Sequence, residues 1–97
     1  MSYQLSVKPQ AIAQTAEIHA DYQQIDQKLA DRFSKELDAC YGSIERNPTS
    51  WAIVKKNYRH ARLKKFPYRV VYAVLDRDVV VFQVSHRKRE PSKKFGP

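Results

Sequence analysis

The residues of this chain best suited to chemistry are the cationic side chains of its second half, among them Arg69 and Arg89. A guanidinium group is planar and permanently charged, and it matches the geometry of phosphate and carboxylate groups. Residues 55–97 hold thirteen Lys and Arg against three Asp and Glu, a net charge of +10. Residues 1–54 hold five against seven, a net charge of −2, so the whole chain carries +8. Such a basic half is typical of a surface that meets an anion, such as nucleic acid, an acidic protein segment or a membrane face.

Three histidines offer groups that titrate near neutrality. His86 follows a predicted strand, where its imidazole could exchange protons with a ribose 2′-hydroxyl or a leaving oxygen. The alternative, which is the more common role, is a histidine that caps the end of the strand through a backbone hydrogen bond. His60 and His19 are predicted to be structural, and the spacing of the three histidines does not match a metal site. Cys40 is the single cysteine and cannot build a zinc site, so we expect neither a metal nor a cofactor.

The remaining cations carry less information one by one. Arg69 lies at the start of a strand with apolar neighbours, so its charge should have a defined partner, for example an acidic side chain of this protein. For the others a solvated basic face is the default interpretation, and only joint placement on one side of the fold would indicate a binding site. These residues are Lys64, Lys65, Arg87, Lys88, Lys93 and Lys94. Without such placement the chain would be a soluble domain that has a high pI.

Length and composition bound the class of protein. At 97 residues the chain is predicted to be one domain, residues 1–97, with a single thin core. Gly42 and Gly96 are the only glycines, which excludes a glycine-rich phosphate loop. No apolar run approaches the ~20 residues of a membrane span, and the N-terminus lacks the pattern of a signal peptide. We therefore expect a cytoplasmic protein that has no membrane partner.

Hydrophobic spacing predicts a strand followed by a helical hairpin. Residues 2–8 alternate weakly as a short strand, and Pro9 suits the first turn of a helix that runs to about residue 24. Asp26 is the predicted cap of a second helix, which ends at Asn47-Pro48. The predicted apolar stripe of the first helix is Ile12, Ala16, Ile18, His19 and Tyr22. That of the second helix, the cleanest in the chain, is Leu29, Phe33, Leu37, Cys40, Tyr41 and Ile44.

The second half of the chain predicts a sheet. Residues 49–57 are a connection of uncertain form, which we expect to be pinned to the core by Trp51, Ile53 and Val54. The pattern then takes a period of two and predicts three strands, which span residues 58–66, 68–75 and 79–85. Arg62 and Lys64 share one side of the first of these strands. The predicted order is β-α-α-β-β-β, an α+β fold in which a helical hairpin packs on a small, mostly antiparallel sheet. The opposite face of the sheet would be open to carry function.

The chain resembles a known family over nearly its whole length. Similarity to the RelE/ParE superfamily of bacterial toxins is carried by two runs, Phe66-Pro67-Tyr68-Arg69-Val70-Val71-Tyr72 and His86-Arg87-Lys88-Arg89-Glu90-Pro91. The resemblance implies a β-α-α-β-β-β fold, which is the order that the hydrophobic pattern predicts independently. It also implies the toxin of a type II toxin–antitoxin module, neutralised by a small acidic antitoxin encoded nearby.

The resemblance leaves two targets open. RelE-like members cut messenger RNA in the ribosomal decoding site, whereas ParE-like members poison DNA gyrase and are not known as nucleases. A RelE-like nuclease would use Arg69 and Arg89 to hold the scissile phosphate, with His86 available to move a proton. It would also need a tyrosine near the end of the tail, where this chain has Phe95, and a phenyl ring has no proton to transfer.

We therefore predict a toxin that acts on gyrase, with a ribosome-dependent mRNA endoribonuclease as the alternative. An inactive member of the family or a basic RNA-binding domain is a further alternative. Of these alternatives only the endoribonuclease would be an enzyme. Its reaction would need no metal. Under either target the candidates for phosphate or target binding are Arg62, Lys64, Arg87 and Lys88.

Overall fold

The structure has a strand, two helices and four further strands in chain order. The computed structural model describes residues 3–88. The elements of this part are β1 (Gln4–Val7), α1 (Pro9–Ile25), α2 (Gln27–Arg46), β2 (Ile53–Lys55), β3 (Tyr58–Arg62), β4 (Tyr68–Leu75) and β5 (Asp78–His86). The strands form a sheet in the order β1-β5-β4-β3-β2, in which β1 runs parallel to β5 and the other described pairs are antiparallel. The predicted α+β fold, a helical hairpin on a mostly antiparallel sheet, is confirmed.

The predicted order β-α-α-β-β-β lacks one strand of the structure. Residues 53–55 form β2 at the outer edge of the sheet, within the segment predicted as a connection. Three residues are too few to show an alternating pattern, and the pairing of β2 with β3 is irregular between Ile53 and Lys55. The side chains of Ile53 and Val54 are exposed, so the expectation that they pin this segment to the core is wrong. The strand that follows is also shorter than predicted, since β3 ends at Arg62.

Both helices begin where local chemistry favours a helix. Pro9 stands in the first turn of α1, where a missing N–H leaves no hydrogen bond unmade. The Asp26 carboxylate accepts a hydrogen bond from the backbone N–H of Lys28 at 3.1 Å and so caps α2, as predicted. Within residues 3–88, neither helix has the length and apolar character that crossing a membrane requires.

The buried face of α2 agrees with the prediction, whereas that of α1 agrees only in part. Phe33, Leu37 and Ile44 are buried in α2. In α1 Ile18 of the predicted stripe is buried and Tyr22 packs against the core, while Ile12 and Ala16 are exposed and Ala11 is buried instead. The difference arises because α1 is rich in Ala and Gln on all sides, so apolar residues define no single stripe.

The central strands β4 and β5 are apolar on both faces of the sheet. The side chains that face the helices form the main core cluster with Phe33, and include Val70, Tyr72, Val81 and Val84. A bulge in β5 places Val81 opposite Tyr72 and Gln83 opposite Val71, so the strand has one extra residue, Phe82. On the outer face, away from the helices, Val71, Ala73 and Gln83 are also buried. The middle of the outer face is therefore shielded from solvent, although the helices lie on the other face.

A carboxylate on α2 fixes the connection between β3 and β4. Glu36 accepts hydrogen bonds from the backbone N–H groups of Lys64 and Lys65, the latter at 3.2 Å. Phe66 of the same connection is buried, with its ring centroid 5.6 Å from that of Phe33. These contacts hold the connection against the helical hairpin and leave the following Pro67 at the outer face of the sheet.

Candidate functional site

An open concavity of about 480 Å³ lies on the outer face of the sheet, between β2, β3, β4 and the end of β5. We call it the basic concavity. Of the residues that line it within the described range, four are Arg or Lys, two are His and none is acidic. The lining residues are Trp51, Ala52, Val54, His60, Arg62, Pro67, Arg69, His86, Arg87 and Lys88. Such a lining favours an anionic ligand or partner surface.

Strand pairing places three of these side chains side by side. Arg62 of β3 is the register partner of Arg69 of β4, so both side chains lie on the same face. His60 lies two residues before Arg62 and shares that face, because side chains alternate along a strand. Nη1 of Arg69 donates a hydrogen bond to the carbonyl O of Arg87 at 3.3 Å. This bond links β4 to the turn after β5 and holds one guanidinium group at the floor of the basic concavity.

His86 uses one of its ring nitrogens to shape the backbone. Its Nδ1 accepts a hydrogen bond from the backbone N–H of Lys88 at 3.1 Å, and its ring centroid lies 5.5 Å from that of Tyr68 in an edge-on arrangement. The backbone N–H of Arg87 also donates to the carbonyl O of Pro67 at 2.8 Å. His86 therefore has the capping role that the sequence left as its alternative, and a neutral ring in this arrangement carries its proton on Nε2.

His60 is a functional candidate that sequence reasoning missed. The sequence predicts a structural role for it, but it lines the basic concavity, two residues before Arg62 on the face that Arg62 shares with Arg69. Burial, followed by the charges of Arg69 and Arg62, lowers the pKa of the His60 imidazole from its ordinary value of 6.5. The imidazole is therefore neutral at pH 7 and able to accept a proton. The alternation that put Arg62 on the functional side also put His60 there, and this was the signal that could have identified it.

The structure brings together five of the predicted site residues and separates one from them. Those that line the basic concavity are Arg62, Arg69, His86, Arg87 and Lys88. Lys64 lies past the end of β3, beside Glu36 on the side of α2. β3 ends before Lys64, but Arg62 and Lys64 line a second depression together beside α2, so they share one side as predicted. Arg89 lies outside the described residues.

Trp51 and the short strand β2 form the wall of the basic concavity on the side away from β5. Nη1 of Arg59 donates to the carbonyl O of Trp51 and, at 3.4 Å, to that of Thr49, which fixes the backbone before β2. The hydroxyl of Tyr72 donates to the carbonyl O of Pro48 at 2.7 Å and fixes the same segment from the core. Within residues 3–88 no group of three or more His, Cys, Asp or Glu side chains could hold a metal ion.

The position of His60 predicts a specific dependence of stability on pH. Because the pKa of folded His60 lies below 6.5, the unfolded chain takes up a proton at a higher pH than the folded chain does. The stability due to the neutral ring is therefore present in full above about pH 6.5 and is lost as the pH falls through the folded pKa. The free energy of unfolding, measured by urea titration at several pH values, should fall more on acidification in the wild type than in His60→Gln. An equal decrease in the free energy of unfolding of the two proteins on acidification would contradict this prediction.

Comparison with known proteins agrees with this geometry. The family model of the ParE toxin of type II toxin–antitoxin systems, parDE, matches residues 5–91. Ten chains of solved structures match significantly, and among them is one from the chromosomal ParDE toxin–antitoxin system of P. aeruginosa. It superposes with a TM-score of 0.77 and 12% identity over 87% of this chain and 95% of that one, which shows a shared fold. No curated protein matches significantly. Because the family match spans most of the sequence, the chain belongs to the ParE toxin family of type II toxin–antitoxin systems.

Proposed function

We propose that this toxin arrests growth by binding DNA gyrase, and that the basic concavity is part of the binding surface. Membership of the ParE family supports gyrase as the target. The observation that carries the mechanism is the lining of the basic concavity, which holds four cations and no acidic residue within residues 3–88, together with a histidine that already caps the backbone. Nδ1 of His86 accepts from the backbone of Lys88, so the imidazole is held as a structural group. Such a surface is suited to holding an anionic partner.

The charge of the toxin supports an acidic antitoxin as its partner. Residues 55–97 carry a net charge of +10, and the basic concavity concentrates part of it on one face. A small acidic protein encoded nearby would cover this surface, with an affinity that falls as salt screens the charges at the rim. We propose that both proteins act in the cytoplasm, where gyrase is found.

A second candidate function is the ribosome-dependent cleavage of mRNA, and His60 is the observation that favours it. A neutral imidazole on the same face as two guanidinium groups could accept a proton from a 2′-hydroxyl while Arg62 and Arg69 hold the phosphate. In this arrangement His60 would serve as the acid–base group in place of a tyrosine near the end of the tail, where this chain has Phe95. It would also make the chain an enzyme that needs no metal.

Induction of the toxin in cells, together with assays of the purified protein, separates the two functions. We expect the purified toxin to inhibit DNA supercoiling by gyrase, and its induction to trigger DNA-damage signalling. Ribosome-bound mRNA should remain intact during the first minutes after induction. Rapid cleavage of mRNA at ribosomes, without DNA damage and without inhibition of purified gyrase, would overturn the proposal in favour of the nuclease.

A further inference from the structure

A second group of cations lies where α2 meets the connection between β3 and β4. A depression of about 360 Å³ is found there, and its lining residues are Arg32, Lys35, Glu36, Lys64, Lys65 and Phe66. We call the four cations among them the α2 patch. Their side chains are exposed, and with the one carboxylate the lining carries a net charge of +3. None of the four lines the basic concavity, so the function proposed above gives them no role.

Hydrogen bonds to Glu36 hold the α2 patch together. Its carboxylate, on the helix, accepts from the backbone N–H groups of both Lys64 and Lys65. The two lysines therefore stay beside the helix that carries Arg32 and Lys35, which are three positions apart and neighbours on its surface. Because the backbone positions of all four cations are fixed before a partner binds, less entropy is lost on binding.

The α2 patch continues into the basic concavity. The depression beside α2 that Arg62 and Lys64 line together joins the two, because Arg62 also lines the basic concavity and Lys64 belongs to the patch. Cations therefore follow one another from the outer face of the sheet, past the end of β3, to Lys35 on α2. A band of positive charge that passes from one face of the protein to another matches an extended polyanion better than a small anion.

The surroundings of the α2 patch favour a nucleic-acid backbone over an acidic protein. A protein partner takes most of its affinity from a few buried anchor side chains, often aromatic, that fill pockets. Within residues 3–88 the exposed large apolar side chains are Ile12, Ile25, Ile53, Val54 and Leu75. None of them lines this depression, whose one apolar residue, Phe66, is buried. A phosphate backbone needs no apolar anchor, because charge and hydrogen bonds hold it.

We propose that the α2 patch binds the phosphate backbone of a nucleic acid, and that this nucleic acid is the duplex DNA on which gyrase acts. The source of the duplex rests on the proposed function, whereas the phosphate chemistry of the patch does not. The basic concavity would contact the enzyme and the α2 patch its DNA. Since contacts to phosphates carry no information about the bases, binding should not depend on the sequence of the duplex.

Titration of labelled duplexes with the full-length toxin tests the patch. Fluorescence anisotropy gives the dissociation constants of a DNA duplex and of an RNA duplex of the same sequence, at salt concentrations from about 50 to about 200 mM. The patch variant carries Arg32→Gln and Lys65→Gln. The control variant carries Arg77→Gln and Lys8→Gln, which remove the same two kinds of charge beside β1, at the opposite edge of the sheet. Both variants have the same net charge, and both change exposed side chains.

The patch variant should bind DNA on the order of tenfold more weakly than the wild type, and the control variant nearly as well as the wild type. The slope of log affinity against log salt should become shallower by about 2 in the patch variant, because two phosphate contacts are lost. In the wild type, DNA should shift the backbone amide NMR signals of Lys64 and Lys65.

Equal weakening of DNA binding in the two variants would show attraction by net charge alone and would overturn the proposal. So would poly-L-glutamate that displaces the DNA duplex as well as unlabelled DNA does at the same concentration of charges, since the patch would then fit an acidic protein. Binding of the RNA duplex but not of DNA would support the phosphate site and count against gyrase as the target. A toxin that inhibits gyrase but binds neither duplex would overturn the role of the α2 patch and keep the proposed function.

Discussion

Replacing Arg69 by alanine should remove most of the activity of the toxin while leaving the protein folded. Arg69 pairs in register with Arg62, lies beside His60, and is tied to the turn after β5 through the carbonyl O of Arg87. Arginines that are held at the centre of an interface are typical hot spots, whose loss weakens binding by about 2 kcal/mol or more. The toxin concentration that half-inhibits gyrase supercoiling should therefore rise on the order of thirtyfold. If the chain is a nuclease, mRNA cleavage should instead fall on the order of a hundredfold.

Two further variants show whether charge, shape or stability is responsible. Arg77→Ala removes an exposed arginine from the turn between β4 and β5, outside the basic concavity, and should inhibit gyrase as the wild type does. Arg69→Lys keeps the charge but loses the planar fork, so its inhibition should be intermediate. Each variant is first checked by thermal unfolding, since loss of the bond to Arg87 lowers stability by about 1 kcal/mol. A folded Arg69→Ala protein that inhibits fully would remove Arg69 from the site.

The parts of the fold that the sequence predicted correctly are those with strong local signals. The cap at Asp26, the face of α2 and the bounds of β4 each depend on residues within one element, and the structure confirms them. β2 was not predicted because its three residues form a strand through pairing with β3, and no local sequence pattern indicates that pairing. The face of α1 was predicted only in part, since alanine is compatible with either side of a helix: Ile18 is buried as predicted, but Ile12 is exposed.

The candidate site was predicted only in part, because local patterns indicate some of its residues and distant contacts position the others. Arg62 and Arg69 follow from strand alternation, and His60 follows from it too once the face of Arg62 is taken as functional. The position of Lys64 could not be derived in this way. Its backbone is held by Glu36, which lies 28 residues earlier in the chain, and β3 ends before Lys64. The wall formed by Trp51 likewise depends on contacts of Arg59 and Tyr72 with distant carbonyl groups.

Replacing Phe33 by alanine should cause the largest loss of stability of the changes considered. Phe33 is fully buried on α2, and its ring centroid lies 5.7 Å from that of Tyr22 and 5.9 Å from that of Tyr68. It also contacts Phe66, so one ring joins both helices to β4 and to the connection before it. Truncation of a buried phenylalanine lowers the free energy of unfolding by about 3–5 kcal/mol, through lost burial and the cavity that remains.

A loss of this size is a large part of the ~5–15 kcal/mol that stabilises a domain. The melting temperature of Phe33→Ala should therefore fall by at least about 12 °C, and urea titration should show a lower midpoint. Ile12→Ala is the control, because the same truncation at an exposed site of α1 should change stability by no more than about 0.5 kcal/mol. The aromatic cluster also supports Tyr68, on which His86 rests, so the Phe33→Ala toxin should lose activity at 37 °C before it does at 20 °C. A decrease of less than about 1 kcal/mol in the free energy of unfolding would mean that the neighbouring rings close the cavity. The aromatic cluster would then not be what holds the helical hairpin to the sheet.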